Sequence, residues 1–145
     1  MQSQGMYQQV TIDGLEQLTK ALAMAGPDVE KGLKDISKAT GTKLIRDVKP
    51  RIPVGPTGNL RSTLRSSRLR KGVRVAMGTK RKTPYAGFVE FGGSFNPRGA
   101  GRRISTTRPF RSGGRFFVPA VKKRRKEAAA TYMRFLRKYV KKKFG

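Results

Sequence analysis

The stretch PDVEKGLKDISKATGTKLIRDV, residues 27–48, decides the fold. Its core-facing positions step by four, three, four, four and four residues, which is the spacing of one continuous stripe along a helix. The stripe consists of Val29, Leu33, Ile36, Thr40, Leu44 and Val48. Pro27 occupies the tolerated first position, and the acids Asp28 and Glu30 suit the positive end of the helix dipole. The stretch therefore predicts a helix from Pro27 to Val48 with one buried face.

Two glycines interrupt this helix. Gly32 and Gly41 each cost about 1 kcal/mol relative to alanine in a helix interior. They are either tolerated weak spots or places where another backbone packs closely, and the sequence leaves both interpretations open.

A strand and a shorter helix precede this stretch. Residues 7–12 alternate and are rich in β-branched side chains, which predicts a short strand after a flexible N-terminus at residues 1–6. Asp13 is the expected N-cap of the first helix, because Glu16 follows at the capping-box spacing. The pair Gly26-Pro27 separates the two helices.

The chain after residue 48 predicts a proline-rich connection and a hairpin. Prolines at 50, 53 and 56 indicate an extended connection, and residues 60–64 are compatible with a helical turn or with the start of a strand. Residues 66–70 and 73–77 flank Lys71-Gly72, which predicts a hairpin whose core face carries Val73, Val75 and Met77. Residues 85–91 predict either a buried strand or a short helix.

The last third of the chain contains a long loop and a helix. Residues 93–115 are rich in arginine and glycine and contain no acid, which predicts an extended basic loop. A final helix is expected over residues 119–143, apolar on one face and basic on the other. The apolar face takes Val121, Ala128, Tyr132, either Phe135 or Leu136, and Tyr139.

Together these elements predict a single α+β domain over residues 1–145. It has two N-terminal helices, a small and mostly antiparallel sheet with an Arg/Gly-rich long loop, and a long basic C-terminal helix.

The charge is strongly asymmetric. Lys and Arg number 34 against 8 Asp and Glu, so the formal net charge is +26. Six acids balance six bases in residues 1–47, so the whole excess lies in residues 48–145. Uncompensated like charge opposes compaction, which predicts a polyanion or an acidic neighbour close to this region. The alternative is a solvated basic face that only keeps the protein soluble.

The composition excludes most catalytic chemistry. There is no Cys and no His, so thiol nucleophiles, histidine bases and soft metal sites are absent. Residues 55–62 are similar to a phosphate-binding loop but lack its Gly-Lys-Ser/Thr ending. We therefore expect no enzyme and no cofactor. No apolar run approaches the roughly 20 residues of a membrane helix, and the N-terminus lacks a signal-peptide pattern, so we expect no membrane contact.

Basic residues in the loop and in the final helix are the candidates for contact with a partner or with DNA. They are Arg98, Arg102, Arg103, Arg108, Arg111, Arg115, Lys122, Lys123, Arg124, Arg125, Lys141, Lys142 and Lys143. The aromatic residues Tyr85, Phe95 and Phe110 could stack on bases, as in single-strand binders.

Glu90 is an acid within the most apolar stretch of the chain. A carboxylate between Val89 and Phe91 is costly to bury unless a cation pairs with it, which predicts a structural ion pair with an arginine of the same chain or of a neighbouring subunit. The alternative is an outward-facing strand residue.

Four motifs occur in an order that resembles a known family. They are Ile12-Asp-Gly-Leu15-Glu-Gln-Leu18, then Lys49-Pro-Arg-Ile-Pro53 leading to Thr57-Gly-Asn-Leu-Arg61-Ser, then Tyr85-Ala-Gly-Phe-Val-Glu-Phe-Gly92, and Phe116-Phe-Val-Pro-Ala120. This order resembles the small neck or tail-completion proteins of long-tailed bacteriophages, which are head–tail connector components. The chain departs from that pattern at Gly93, where the family has Thr, and in the Arg/Gly insertion between Gly92 and Phe116.

The resemblance implies a structural virion protein at the head–tail junction, made in the host cytoplasm. It implies a homo-oligomeric ring, a hexamer or dodecamer, around the channel for double-stranded DNA. The neighbours would be connector or stopper proteins and tail-terminator or tail-tube proteins. Residues 93–115 would then reach a neighbour, the lumen or the DNA, and the final helix would face an acidic ring. The alternative is a free-standing basic nucleic-acid-binding protein without enzymatic activity.

Overall fold

The structure is a computed structural model that describes residues 6–54, 59–79, 83–95 and 106–145. The predictions for residues 1–5, for the loop at 55–58 and for Arg98, Arg102 and Arg103 lie outside the described residues. The elements in chain order are β1 Met6–Thr11, α1 Leu15–Ala23, α2 Pro27–Val48, a 3₁₀ turn Lys49–Arg51, α3 Asn59–Ser62, β2 Arg65–Leu69, β3 Gly72–Met77, α4 Ala86–Phe91, β4 Gly93–Phe95, β5 Thr106–Arg108 and α5 Phe117–Phe144.

The architecture is α+β, as predicted. A three-stranded antiparallel sheet has the order β1-β3-β2, and α2 and α5 pack against it. Val73, Val75 and Met77 are buried, so the predicted core face of the hairpin is confirmed. Their partners on β1 are Val10, Gln8 and Met6. The core therefore lies between one face of the sheet and the two long helices.

Helix α2 has the predicted bounds and lies at the centre of the fold. All six residues of its stripe are buried, each less than 8% exposed: Val29, Leu33, Ile36, Thr40, Leu44 and Val48. The helix contacts α1, α5, β2 and β3. Burying each large apolar side chain of this kind is worth about 1.5–3 kcal/mol, so the stripe is a major source of stability.

Both glycines of α2 are sites of close packing. A Cβ at Gly41 would overlap with the side chain of Ser66, and a Cβ at Gly32 would lie 2.6 Å from Cε1 of Tyr139. Of the two interpretations, the structure supports close packing. The expectation that the partner is another backbone is wrong, because the contacts are with side chains of β2 and α5.

The start of α1 differs from the prediction. The N-cap is Gly14, whose φ of 78° lies in the left-handed region, and no side chain caps the helix. The expected cap at Asp13 is therefore wrong. Glycine reaches this backbone conformation without steric cost, and this moves the helix start one residue along the chain.

The connection after α2 is only partly extended. Pro50 lies in a 3₁₀ turn, and the extended backbone begins at Ile52 with φ −91° and ψ 133°. Of the open alternatives, residues 60–64 begin as the helical turn α3, and residues 85–91 form the short helix α4.

Helix α5 is longer than predicted. It begins at Phe117, two residues before the expected start at Pro119, and ends at Phe144. Leu136 is buried and Phe135 is half-buried, so Leu136 takes the core position that the sequence left open. No helix among the described residues is long and apolar enough to cross a bilayer.

The segment over residues 93–115, which we expected to be one extended loop, contains a two-stranded ribbon. β4 pairs antiparallel with β5, with Gly93 opposite Arg108 and Phe95 opposite Thr106. The residues between these strands lie outside the described part of the chain.

Candidate partner-binding surface

The buried carboxylate of Glu90 holds the N-terminus of α5. Its Oε1 accepts hydrogen bonds from the N–H groups of Phe116 at 3.1 Å and Phe117 at 2.8 Å, and its Oε2 accepts one from Val118 at 2.9 Å. The residue is 0% exposed. A negative charge at the positive end of a helix forms strong, charge-assisted hydrogen bonds. Glu90 therefore attaches α4 to the start of α5.

The structure gives Glu90 different partners from the arginine that we expected. Among the described residues its hydrogen bonds come from the backbone of α5, at a separation of 26 to 28 residues along the chain. Arginine contributes at longer range, because the charge of Glu90 acts to raise the pKa of Arg115. An ion pair across a subunit boundary stays a prediction.

The loop over residues 109–116 wraps around this carboxylate. Gly114 has a φ of 80°, and a Cβ at this position would overlap with Oε2 of Glu90. The N–H of Gly114 donates to the carbonyl of Arg111, and the N–H of Arg111 donates to the carbonyl of Phe91. The ribbon, α4 and the start of α5 are thus joined by hydrogen bonds.

Three of the predicted contact residues lie together at the base of the ribbon. Burial lowers the pKa of Arg115, and the charges of Arg108 and Arg111 lower it further, against the opposite effect of Glu90. Nη1 of Arg108 donates to the carbonyl of Val89 at 3.5 Å. Nη2 of Arg115 donates to the carbonyl of Pro109, whereas its Nη1 is buried and has no hydrogen-bond partner among the residues that the structure describes. This cluster of Arg108, Arg111 and Arg115 is called the ribbon-base cluster.

The exposed aromatic residue of this region is Phe110. It is 69% exposed and lies in the chain between Arg108 and Arg111. Tyr85 is half-buried, and the side chain of Phe95 lies outside the described part of the structure. Of the three stacking candidates, Phe110 therefore has the exposure that base stacking needs.

The first turns of α5 carry four predicted contact residues, of which two make contacts within the chain. Arg124 donates to Glu127 at 3.1 Å, and Nη2 of Arg125 donates to the side chain of Gln8 at 3.1 Å. Lys122 and Lys123 are exposed. These two lysines follow the ribbon-base cluster in the chain and lie in the first two turns of α5.

The remaining candidates are at the other end of α5. Lys141, Lys142 and Lys143 are exposed, and Nζ of Lys143 lies 3.7 Å from Oδ2 of Asp28 on α2. At a rise of 1.5 Å per residue, Lys141 is about 27 Å from Lys123 along the helix axis. The candidates that the structure describes therefore lie in two groups, called the two positive surfaces, one at each end of α5. Further exposed cations of the helix lie between them: Lys126, Arg134, Arg137 and Lys138.

An ion pair between α2 and β2 makes stability depend on pH. The hydrogen bond from Arg68 holds the pKa of Glu30 below its ordinary value, against the opposite effect of burial. A carboxyl group with a lowered folded-state pKa contributes stability above the unfolded-state pKa and loses it as the pH falls through the folded-state value.

We therefore expect the free energy of unfolding to decrease below about pH 4.5, and the variant Glu30→Gln to decrease less. Urea denaturation at pH 7 and pH 3.5 measures this difference. Glu16→Gln, at an exposed position of α1, is the matched control. Its free energy of unfolding should fall between pH 7 and pH 3.5 by as much as that of the parent. If the free energy of unfolding of Glu30→Gln falls between the two pH values as much as that of the parent, the prediction is contradicted.

A family model described as "Bacteriophage HK97-gp10, putative tail-component" matches residues 15–92, more than half of the chain. The chain belongs to this family. Comparisons with curated proteins and with solved structures found no match. Membership confirms the resemblance seen in the sequence and means that this is a structural tail component of a bacteriophage, located in the virion.

The family match ends at Gly92, so it includes Glu90 but not the residues that Glu90 contacts. Glu90 lies inside the matched span, whereas Phe116, Phe117 and Val118, whose N–H groups it binds, lie outside it. Both positive surfaces also lie outside. The family segment thus provides the carboxylate that orients a basic helix beyond it.

Proposed function

We propose that this protein is a ring-forming subunit of the phage head–tail junction, which joins the capsid connector to the tail around the DNA channel and has no enzymatic activity. The observation that carries this proposal is the placement of exposed cations at both ends of α5, about 27 Å apart. A helix that is positive at both ends can contact two anionic surfaces at once, as a subunit between two neighbours must.

The charge balance within the chain supports external partners. Among the described residues, the cations that form ion pairs are Lys43, Arg68, Arg124 and Lys143. This leaves most of the net charge of +26 without an acidic partner in the chain. Such a charge favours association with acidic proteins or with nucleic acid.

A second candidate function is nucleic-acid binding by the free protein. The exposed ring of Phe110 beside the ribbon-base cluster favours it, because aromatic rings next to arginines bind single strands by stacking and by charge. In this case the chain would act without forming a ring.

Size-exclusion chromatography with light scattering at moderate salt distinguishes the two candidates. The junction proposal predicts a ring or a concentration-dependent assembly with a mass that is a multiple of 16.1 kDa. A strict monomer that binds short DNA tightly would contradict it and would support the second candidate.

Shortening the ribbon tests the role that we assign to residues 93–115. Phe95 pairs with Thr106, so an Asn-Gly turn in place of residues 96–105 would close a regular hairpin. We expect this variant to fold but to leave heads and tails unjoined when it replaces the parent gene, with the titre as low as after deletion of the gene.

A second variant separates length from charge. It keeps ten residues between Phe95 and Thr106 but replaces them with Gly, Ser and Asn. If arginine side chains make the contact, this variant also fails to join heads to tails. Tailed particles at the parental titre from the shortened chain would contradict the proposal.

A further inference from the structure

The sheet has one edge that is not protected against pairing. The order β1-β3-β2 places β1 and β2 at the two edges. β1 has the sequence Met-Tyr-Gln-Gln-Val-Thr, with no charge and no proline, and it pairs with β3 over six consecutive residues without a bulge. Natural proteins protect free edges with lysine, proline or bulges. β1 has none of these three features, although the chain contains 34 Lys and Arg residues.

The opposite edge is protected. β2 carries Arg65 and Arg68, and helix α2 packs against this strand with Ser66 in contact with Gly41. Only β1, among the strands of the three-stranded sheet, therefore offers an uncharged edge.

The backbone donors of this edge can be assigned from the register. The N–H of Ile12 donates to the carbonyl of Lys71, so the pair 12–71 is a hydrogen-bonded pair. In an antiparallel ladder such pairs alternate, so residues 6, 8 and 10 direct their N–H groups to β3. The N–H groups of Tyr7, Gln9 and Thr11 consequently point away from β3, towards the free edge.

A groove runs beside this edge and has a basic wall. It has a volume of about 410 Å³ and is lined by Gln9, Val10 and Thr11 of β1 and by Arg125, Lys126 and Ala129 of α5. Nη2 of Arg125 donates to the side chain of Gln8, which holds the guanidinium beside β1. The groove therefore combines outward-pointing backbone donors with the positive charges of Arg125 and Lys126.

We infer that β1 binds an acidic, extended segment of a neighbouring virion protein, which adds to the sheet as a fourth strand in this groove. Main-chain hydrogen bonds provide the affinity in such strand addition, and side-chain contacts provide the specificity. Here the specificity comes from Arg125 and Lys126, which select acidic side chains. The identity of the partner as a virion protein rests on the proposed function, whereas the docking edge does not.

A second copy of the chain fits this groove less well. Antiparallel pairing of β1 with the same strand of another copy would bring Arg125 and Lys126 of both copies to one interface, where they repel. Pairing with the β2 edge of another copy is opposed by Arg65 and Arg68 and by the packing of α2 on that strand.

The test is peptide binding to the isolated chain, followed by NMR of its backbone amides. The probe is a ten-residue peptide of alternating Glu with Val or Thr, and the comparison peptide has Lys in place of Glu. The acidic peptide should shift the amide signals of Tyr7, Gln9 and Thr11. The variant Gln9→Pro removes an outward N–H without breaking the β1–β3 ladder, so it should fold and bind about tenfold more weakly.

Charge reversal provides the second arm. Lys126→Glu in the groove should weaken binding of the acidic peptide, whereas Lys138→Glu, at an exposed position of the same helix, should leave it unchanged. Equal binding of the two peptides, or equal binding by the parent and Gln9→Pro, would overturn the inference. A dimer of the chain that Gln9→Pro dissociates would overturn it in favour of self-pairing. Ring formation is measured separately, so a failure here is distinguishable from a failure of the proposed function.

Discussion

Replacing Glu90 with alanine is expected to lower the free energy of unfolding by about 3–5 kcal/mol. The substitution removes the acceptor for three N–H groups at the start of α5 and leaves a cavity where the carboxylate was. A loss of this size is a large part of the 5–15 kcal/mol that stabilises a typical domain. Urea denaturation followed by far-UV circular dichroism measures it, and the melting temperature should fall by roughly 10 °C.

Two further variants make this prediction specific. Glu90→Gln keeps the size and one acceptor oxygen, so it should lose less stability and remain measurable if the alanine variant does not fold. Glu127→Ala removes an exposed carboxylate from α5 and should cost less than about 1 kcal/mol, as surface ion pairs do. Similar losses for Glu90→Ala and Glu127→Ala would show that the buried hydrogen bonds do not hold α5.

The effect of Glu90 on function follows from its place between two parts of the chain. It connects the family-matched segment to the helix that carries both positive surfaces. A shift of the start of α5 is carried along its 28 residues, so the surfaces at both ends would move relative to the sheet. A variant that folds but holds α5 loosely should therefore also join heads to tails poorly.

Replacing Gly41 with alanine is expected to destabilise the protein by about 1–3 kcal/mol. Alanine favours a helix interior over glycine by about 1 kcal/mol, so the intrinsic effect has the opposite sign. The new Cβ would overlap with the side chain of Ser66 and push β2 away from α2. The same denaturation measurement gives the net effect, because the overlap and the helix propensity contribute to one free energy of unfolding.

The matched control is a helical glycine with free space around it. A Cβ at Gly87 in α4 meets no atom within 4 Å, so Gly87→Ala should stabilise the protein by up to about 1 kcal/mol. The double variant Gly41→Ala with Ser66→Gly removes the overlapping side chain and should recover part of the loss. Stabilisation by Gly41→Ala equal to that of Gly87→Ala would contradict the close-packing interpretation.

Elements with a strong local pattern could be predicted from the sequence. The stripe of α2 repeats at the helical period for 22 residues, and Pro27 marks its start, so both bounds are correct. The hairpin of β2 and β3 was predicted from the residues that flank Lys71-Gly72. The turn itself lies one residue earlier, at Arg70-Lys71, because Gly72 pairs with Leu69. The family was also recognisable, because its motifs are short runs of residues in a fixed order.

Features that depend on distant residues could not be predicted in this way. Glu90 was singled out because a carboxylate in an apolar stretch is costly, yet its donors lie 26 to 28 residues away and carry no side-chain signal. The ribbon of β4 and β5 joins segments separated by an arginine- and glycine-rich insertion with no alternating pattern.

The amino-acid sequence alone therefore determined the α+β class, the central helix, the positive charge of the last two thirds and the family, because periodicity, charge and motif order are local properties of the chain. Only the tertiary structure decided that Glu90 caps α5, that the described candidate cations lie at opposite ends of α5 and that β1 is an edge strand. These features arise from contacts between segments that are far apart in the chain. The hydrogen bonds to Glu90 come from backbone N–H groups, which nearly every residue type has, so the sequence of the donor residues does not reveal them.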